Sequence, residues 1–308
     1  MGNRPARGAL NAFAWVTAAL LFVLLLMGFV VTETGSGRGC GGSWPLCHGR
    51  FVPAFAFHTL IEFSHRSLAA IVGILVLILA IWAWRQAGRV PFVKVTAAVG
   101  LLFVIVQAGI GAADVIHPES ASILALHFGF SLIALAAVAI LAFVLGGEGR
   151  SSLTLDAPPE GRSTLKALSV IVFVYIYGVV YLGAYVSHSG AGAACSTWPL
   201  CQGGLIPLAG PSAYDMLHRV AAAGSFLLIL WLFFAVRPFK NARPDLALAA
   251  HLSIALVTLQ IISGAVLVWS HDAVWAVMVH VALLSVLFTA LAYLFMHALL
   301  GTRRPAAG

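Results

Sequence analysis

The chain has 308 residues, 61% of them hydrophobic and only 9% charged. Its mean hydropathy is +1.02, whereas a soluble domain carries about 25% charge. This composition defines an integral membrane protein and excludes soluble-enzyme and nucleic-acid-binding classes. The formal net charge of +7 follows membrane topology rather than an acidic ligand, as the placement of the basic residues indicates.

Apolar runs between polar breaks predict helices near 10–32, 59–84, 92–113, 121–146, 166–187, 214–236, 245–269 and 273–300. Each approaches or exceeds the roughly 20 residues that a membrane span needs. The first run is longer than a signal-peptide core of about 7–15 residues, and no small-x-small cleavage site follows it, so it reads as an uncleaved span. With the N-terminus cytoplasmic, the inner side holds Arg4, Arg7, Arg85, Arg89, Lys94, Arg150, Arg162, Lys166, Arg237, Lys240, Arg243, Arg303 and Arg304. Only Arg38, Arg50, Arg66 and Arg219 of the 17 basic residues then lie outside, a bias that puts both termini in the cytoplasm. Cys40, Cys47, Cys195 and Cys201 fall in two long outer loops, in a compartment where disulfides persist.

The sequence is duplicated. Segment 31–35 (VTETG) matches 186–190 (VSHSG) at an offset of 155, as Cys40 matches Cys195. Segment 44–47 (WPLC) matches 198–201 at 154, and His65-Arg66 matches His218-Arg219 at 153. Gln107 pairs with Gln260, Gly111 with Gly264 and His127 with His280 at the same 153. The expected fold is therefore an all-α integral membrane protein of eight transmembrane helices, arranged as two tandem pseudo-symmetric four-helix bundles. Residues 1–146 form the first bundle, 147–165 a polar cytoplasmic linker and 166–308 the second. An even number of spans per half makes the repeats parallel.

Ionisable side chains within spans are costly and usually functional. His65, His127, His218 and His280 each sit roughly six or seven residues inside the outer end of an even-numbered helix, about 10 Å deep at 1.5 Å per residue. Two imidazoles on facing helices of one bundle suit axial ligation of a heme iron, so the pattern reads as two bis-histidine heme pockets. The competing reading, histidines satisfied by neighbouring polar groups, weakens when pairs are duplicated at equal depth. A non-heme metal would need more ligands, and covalent attachment would need a Cys-x-x-Cys-His motif that is absent.

Arg66 and Arg219 follow their histidines directly and suit heme propionates, although interfacial snorkelling explains them too. Gly109, Gly111 and Gly264, beside Gln107 and Gln260, thin two helices for a porphyrin face or for close helix packing. Glu62 lies one helical turn before His65, fit to stabilise positive charge on an oxidising substrate or to move a proton. Its counterpart Asp215 is one methylene shorter; a solvated carboxylate at a helix start is the plainer alternative. The duplication favours one disulfide within each loop, Cys40 with Cys47 and Cys195 with Cys201, as a staple or a redox pair. Zinc binding with His48 is a weaker reading. Histidines 48, 58, 117, 188 and 271 fall near the outer surface and 251 and 297 near the inner side, and none is assigned as a ligand.

These residues resemble the heme A synthase family. The resemblance rests on 34–49 (TGSGRGCGGSWPLCHG), 62–66 (EFSHR), 126–129 (LHFG), His218-Arg219 and His280, and it spans all eight helices. It implies an oxidoreductase acting on a CH group, oxidising the ring methyl of heme O to the formyl of heme A for cytochrome c oxidase-type terminal oxidases. It further implies His65 and His127 as substrate-heme ligands with Glu62 as the catalytic carboxylate, and a resident heme b on His218 and His280. A heme O synthase is the implied upstream partner, a terminal oxidase assembly the recipient, and the plasma membrane the location, with heme sites and cysteine loops on the outer side. The alternatives are a diheme b-type electron carrier and a heme transporter or chaperone; an acidic residue beside one pocket more than the other favours catalysis.

Overall fold

The computed structural model describes residues 4–87, 90–116, 120–146, 161–202, 207 and 209–300. Eight helices among them are long and apolar enough to cross a membrane: α1 (Arg4–Glu33), α2 (Phe57–Ala87), α3 (Pro91–Ile116), α4 (Ala121–Leu145), α5 (Arg162–His188), α6 (Pro211–Val236), α7 (Pro244–Trp269) and α8 (Val274–Leu300). No strand is formed among the described residues. Most helices extend beyond the hydropathic runs by up to a turn, because polar residues and proline also fit a first turn; Pro211 and Pro244 open α6 and α7, where a missing N–H costs nothing. The start of α5 at Arg162 lies inside the segment read as linker, and residues 147–160 of that linker are outside the described residues, as is His117.

In lipid every backbone group must be satisfied internally, and polar side chains within the spans fold back onto their own helices. Thr17 donates to Phe13 O, Ser253 to Ala249 O and Ser285 to Val281 O, each at 2.8 Å. Within each half the helices pack as a ring, α1–α2–α3–α4–α1 and α5–α6–α7–α8–α5. The halves meet along a seam in which α4 packs on α5 and α8, and α1 packs on α8. Burial follows: 72% of the most apolar window of α4 is inside the protein, against 22–28% for α2, α3, α6 and α7, whose outer faces are left to lipid. Small residues make the seam close. Ala134, Ala136, Ala139 and Ala142 of α4 are buried, and Gly129 lies where a Cβ would be 2.8 Å from Tyr177 Oη of α5.

The two cysteine-bearing loops share a plan. Each contains a disulfide, Cys40–Cys47 and Cys195–Cys201, and each has a cis Trp–Pro peptide, at Trp44-Pro45 and Trp198-Pro199. Gly39 runs so close to the backbone of His58 and Thr59 that a Cβ would overlap it, and the Thr59 hydroxyl donates to Gly39 O at 2.7 Å. Ser36 Oγ and His58 Nδ1 are hydrogen-bonded at 3.0 Å. The first loop is thereby sewn to the N-terminal end of α2.

Candidate heme-binding sites

Each bundle places one histidine on each even-numbered helix and one glycine opposite it on an odd-numbered helix. In the N-terminal bundle Gly28 of α1 faces His65 of α2: a Cβ there would lie 3.5 Å from His65 Nε2. Gly111 of α3 faces His127 of α4, with 3.3 Å from the same hypothetical atom to His127 Cε1. In the C-terminal bundle Gly183 of α5 faces His218 of α6 at 2.6 Å, and Gly264 of α7 faces His280 of α8 at 3.6 Å. Any side chain at these positions would fill the space beside a ring. The two histidines of each pair are electrostatic neighbours.

Sequence reasoning identified Gly111 and Gly264 but missed Gly28 and Gly183, although the 155-residue offset that relates their helices links them directly. Gly109 is a correction in the other direction. It is exposed, with open space where its Cβ would be, because a position two residues from Gly111 points to another face of the helix.

A heme ligand binds iron through one imidazole nitrogen while the other is oriented by a hydrogen bond. His280 has such a partner, with Nδ1 2.8 Å from Ser263 Oγ, which leaves Nε2 for a metal. His127 Nδ1 and His218 Nδ1 are buried without a hydrogen-bond partner, unsatisfied atoms that a bound group or its surroundings would have to accommodate. Beside His127, Ser131 bonds to both Gln107 Oε1 and His127 O, the latter at 2.8 Å, whereas the counterpart Gln260 keeps an unsatisfied Oε1. Facing histidines, glycine clearings, apolar walls and orphan imidazole nitrogens fit two heme sites.

Above each histidine pair lies a carboxylate–arginine clamp. Glu62 is only 3% exposed; its Oε1 pairs with Arg66 one turn later, and its Oε2 accepts the Cys40 N–H at 2.7 Å. Arg66 also donates to Ser43 O at 2.7 Å and Leu46 O at 3.3 Å, so α2 holds the cysteine loop by both charges. In the second half Arg219 donates twice to Asp215, at 3.1 and 2.8 Å. It also reaches Thr197 O, Pro199 O and Cys195 O at 2.5, 3.3 and 3.2 Å. All five guanidinium donors of Arg219 are thus engaged, so a propionate contact there would replace an existing bond. Arg66 keeps one buried donor, Nε, without a partner. Glu62 is accordingly no solvated helix-start carboxylate. The zinc reading for His48 fails, since both cysteine pairs are disulfides and His48 Nε2 lies 2.9 Å from Gly39 O.

Asp272, between α7 and α8, sits against the Ala191–Ala194 turn, with Oδ2 3.3 Å from a Cβ placed on Gly192. Burial pushes its carboxyl above the ordinary value, and nearby Asp215 adds to the effect. Two of the histidines not assigned as ligands are withdrawn from the surface. His297 is fully buried near the C-terminal end of α8, with Nδ1 3.1 Å from an Arg243 nitrogen and its ring against Tyr293 and Phe92. His188 is half-buried at the seam, stacked on Phe29.

The sequence matches the cytochrome oxidase assembly protein family over residues 11–292. It is 39% identical over 295 residues to the heme A synthase of Halalkalibacterium halodurans, covering 94% of this chain and 96% of that protein. The heme A synthase of Alkalihalophilus pseudofirmus is 39% identical over 291 residues, 93% of this chain and 96% of its own. That of Geobacillus kaustophilus is 37% identical over 303 residues, 96% and 94% respectively. Eight spans, two histidine–glycine clusters and similarity along nearly the full length agree: the chain belongs to the heme A synthase family of membrane-embedded cytochrome oxidase assembly proteins.

Proposed function

We propose that this chain oxidises the ring methyl of heme O to a formyl group, yielding heme A for a terminal oxidase, with the N-terminal bundle as substrate site. The observation that carries this reading is the matched set of four histidine–glycine pairs, two per bundle, in a chain 36–39% identical to heme A synthases. His65 and His127 hold the substrate from two helices, and the clearings at Gly28 and Gly111 let a flat macrocycle approach. Glu62 is the catalytic carboxylate: held in place by Cys40 N–H and Arg66, it presents fixed negative charge near the ring edge, where positive charge develops as the methyl loses electrons. The stapled loop above restricts water and keeps that charge effective.

In the C-terminal bundle His218 and His280 are the ligands for a resident heme b, which when bound supplies one-electron transfer chemistry. The protein there orients His280 through Ser263 and anchors the loop through Asp215–Arg219. Heme O comes from a farnesyl-adding heme O synthase, and its tail requires a pocket bordered by lipid-facing helices, as α2 and α3 are. Both termini lie in the cytoplasm, and the cysteine loops lie on the outer face of the plasma membrane.

The test is to purify the protein from cells making heme O, extract its hemes and separate them by mass, with Glu62→Ala in parallel. Heme A or its alcohol precursor in the wild type, with unconverted heme O in the variant, is the expected result. If neither protein converts heme O and only heme b is recovered, a diheme electron carrier replaces this reading.

A further inference from the structure

The last residues of α1 and α5 are equivalent in the duplication, Glu33 and His188 at an offset of 155, and each leans across the seam toward the other bundle. The His188 ring stacks on Phe29 of α1, with centroids 6.0 Å apart and planes at 25°. Phe29 in turn meets Phe128 of α4 edge to face at 4.8 Å, and Phe128 directly follows His127. The Nδ1 of His188 is buried without a hydrogen-bond partner. The titratable groups that couple to it, His127 and Asp114, both belong to the N-terminal bundle. In the opposite direction Glu33 Oε1 accepts from Ser187 Oγ of α5 at 3.4 Å, and its charged neighbour is Asp272 of the C-terminal half.

We propose that His188 of the C-terminal bundle completes the N-terminal pocket, where its imidazole N–H donates a hydrogen bond to a propionate carboxylate of the bound porphyrin substrate. It is a positioning residue, fixing the ring's rotation so that one methyl faces Glu62. The chemistry favours this partner. The rim needs a donor for an anionic oxygen acceptor, Arg66 has three of its five donors committed to Glu62 and the loop, and His188 brings a polar nitrogen that nothing in the protein satisfies. The duplication adds an asymmetry. The equivalent position over the C-terminal pocket carries Glu33, a carboxylate that repels a propionate, so only the N-terminal pocket gains a donor from across the seam.

This rests on the N-terminal bundle being the substrate site, and the experiment separates the two claims. The protein, purified with its heme b, is titrated with heme O and with heme O dimethyl ester, whose propionates are masked. Binding is read from the Soret band in the wild type, His188→Leu, His188→Gln and His65→Ala. His188→Leu weakens heme O binding by about tenfold, the scale of a lost hydrogen bond to a charged group. It leaves ester binding unchanged, and His188→Gln, which keeps a donor, recovers most of the affinity. Equal weakening for acid and ester, or none for either, overturns the role of His188. A wild-type spectrum insensitive to His65→Ala overturns the pocket assignment, and the proposal with it.

Discussion

Replacing Gly183 with alanine tests whether the glycines exist to clear the histidines. A Cβ at Gly183 would lie 2.6 Å from His218 Cε1, 3.1 Å from Nε2 and 3.2 Å from Nδ1, whereas one at Gly264 would lie 3.6 Å from His280 Cε1, in ordinary contact. The ring of His218 would have to withdraw by about 0.8 Å, and overpacking of that kind costs about 1–3 kcal/mol. Because the obstacle is a side chain rather than backbone, the cost falls on the ligand's position more than on the fold. The expected outcome for Gly183→Ala is a roughly 10- to 100-fold loss in heme retention at the C-terminal site, with a thermal midpoint close to wild type. Gly264→Ala should retain heme normally. The assay is the pyridine hemochrome content and low-spin absorption of protein purified in detergent, alongside thermal unfolding. Equal heme loss in both variants would show that the distance from Cβ to ring does not set heme retention, and a large fall in midpoint without heme loss would show that these glycines serve helix packing and not ligand clearance.

Three further outcomes follow from the clamps and buried charges. Glu62→Ala strands a largely buried guanidinium and the Cys40 N–H, so it should destabilise by about 3 kcal/mol, with Glu62→Gln nearer 1–2 kcal/mol because an amide oxygen still accepts; dithiothreitol should also reduce Cys40–Cys47 faster in the alanine variant, and identical reduction rates would contradict the clamp. The Asp272 carboxyl is raised in the folded state, so the native protein binds that proton more tightly than the unfolded chain. Its stabilising effect is complete below the unfolded value near 3.8 and is lost as pH rises through the higher folded value. Asp272→Asn should therefore raise the thermal midpoint at neutral pH and flatten its dependence above pH 4; a lower midpoint at neutral pH would refute the assignment. Arg243 is 2% exposed and pairs with Asp245 at 2.7 Å and with His297, so Arg243→Ala should cost about 3 kcal/mol, measured by thermal unfolding, and no loss would mean that the network is dispensable.

Spans and duplication were legible, and four histidines stood out as candidates, because a membrane separates residue types sharply. A histidine in an apolar run has few innocent explanations, and four of them in register have fewer. The partners of those histidines were harder to read. Gly28 carries no chemistry of its own, and only its geometry against His65 gives it meaning. Helix faces were hidden for a related reason: α4 and α3 are both apolar all round, yet one is mostly buried and the other mostly lipid-facing. Hydropathy measures transfer out of water and does not distinguish protein from lipid. The contact of His188 with Phe29 was not legible because the neighbour of a span's end across the seam is unknown from sequence. The commitment of Arg66 and Arg219 to loop carbonyls was likewise invisible, since backbone acceptors leave no mark in a sequence.

The seam between the bundles has the form of a two-fold contact. The duplication maps α1 onto α5 and α4 onto α8, so the α4–α5 contact is equivalent to the α8–α1 contact, while α4 against α8 lies on the axis. An interface of that kind is self-complementary, and a lone four-helix unit would carry half of it as an unpaired face. A homodimer of four-span units joined in this way would be obliged to have identical rims. A single chain that contains both halves has no such obligation: its stoichiometry is one of each half, and equivalent places carry glutamate on one side and histidine on the other.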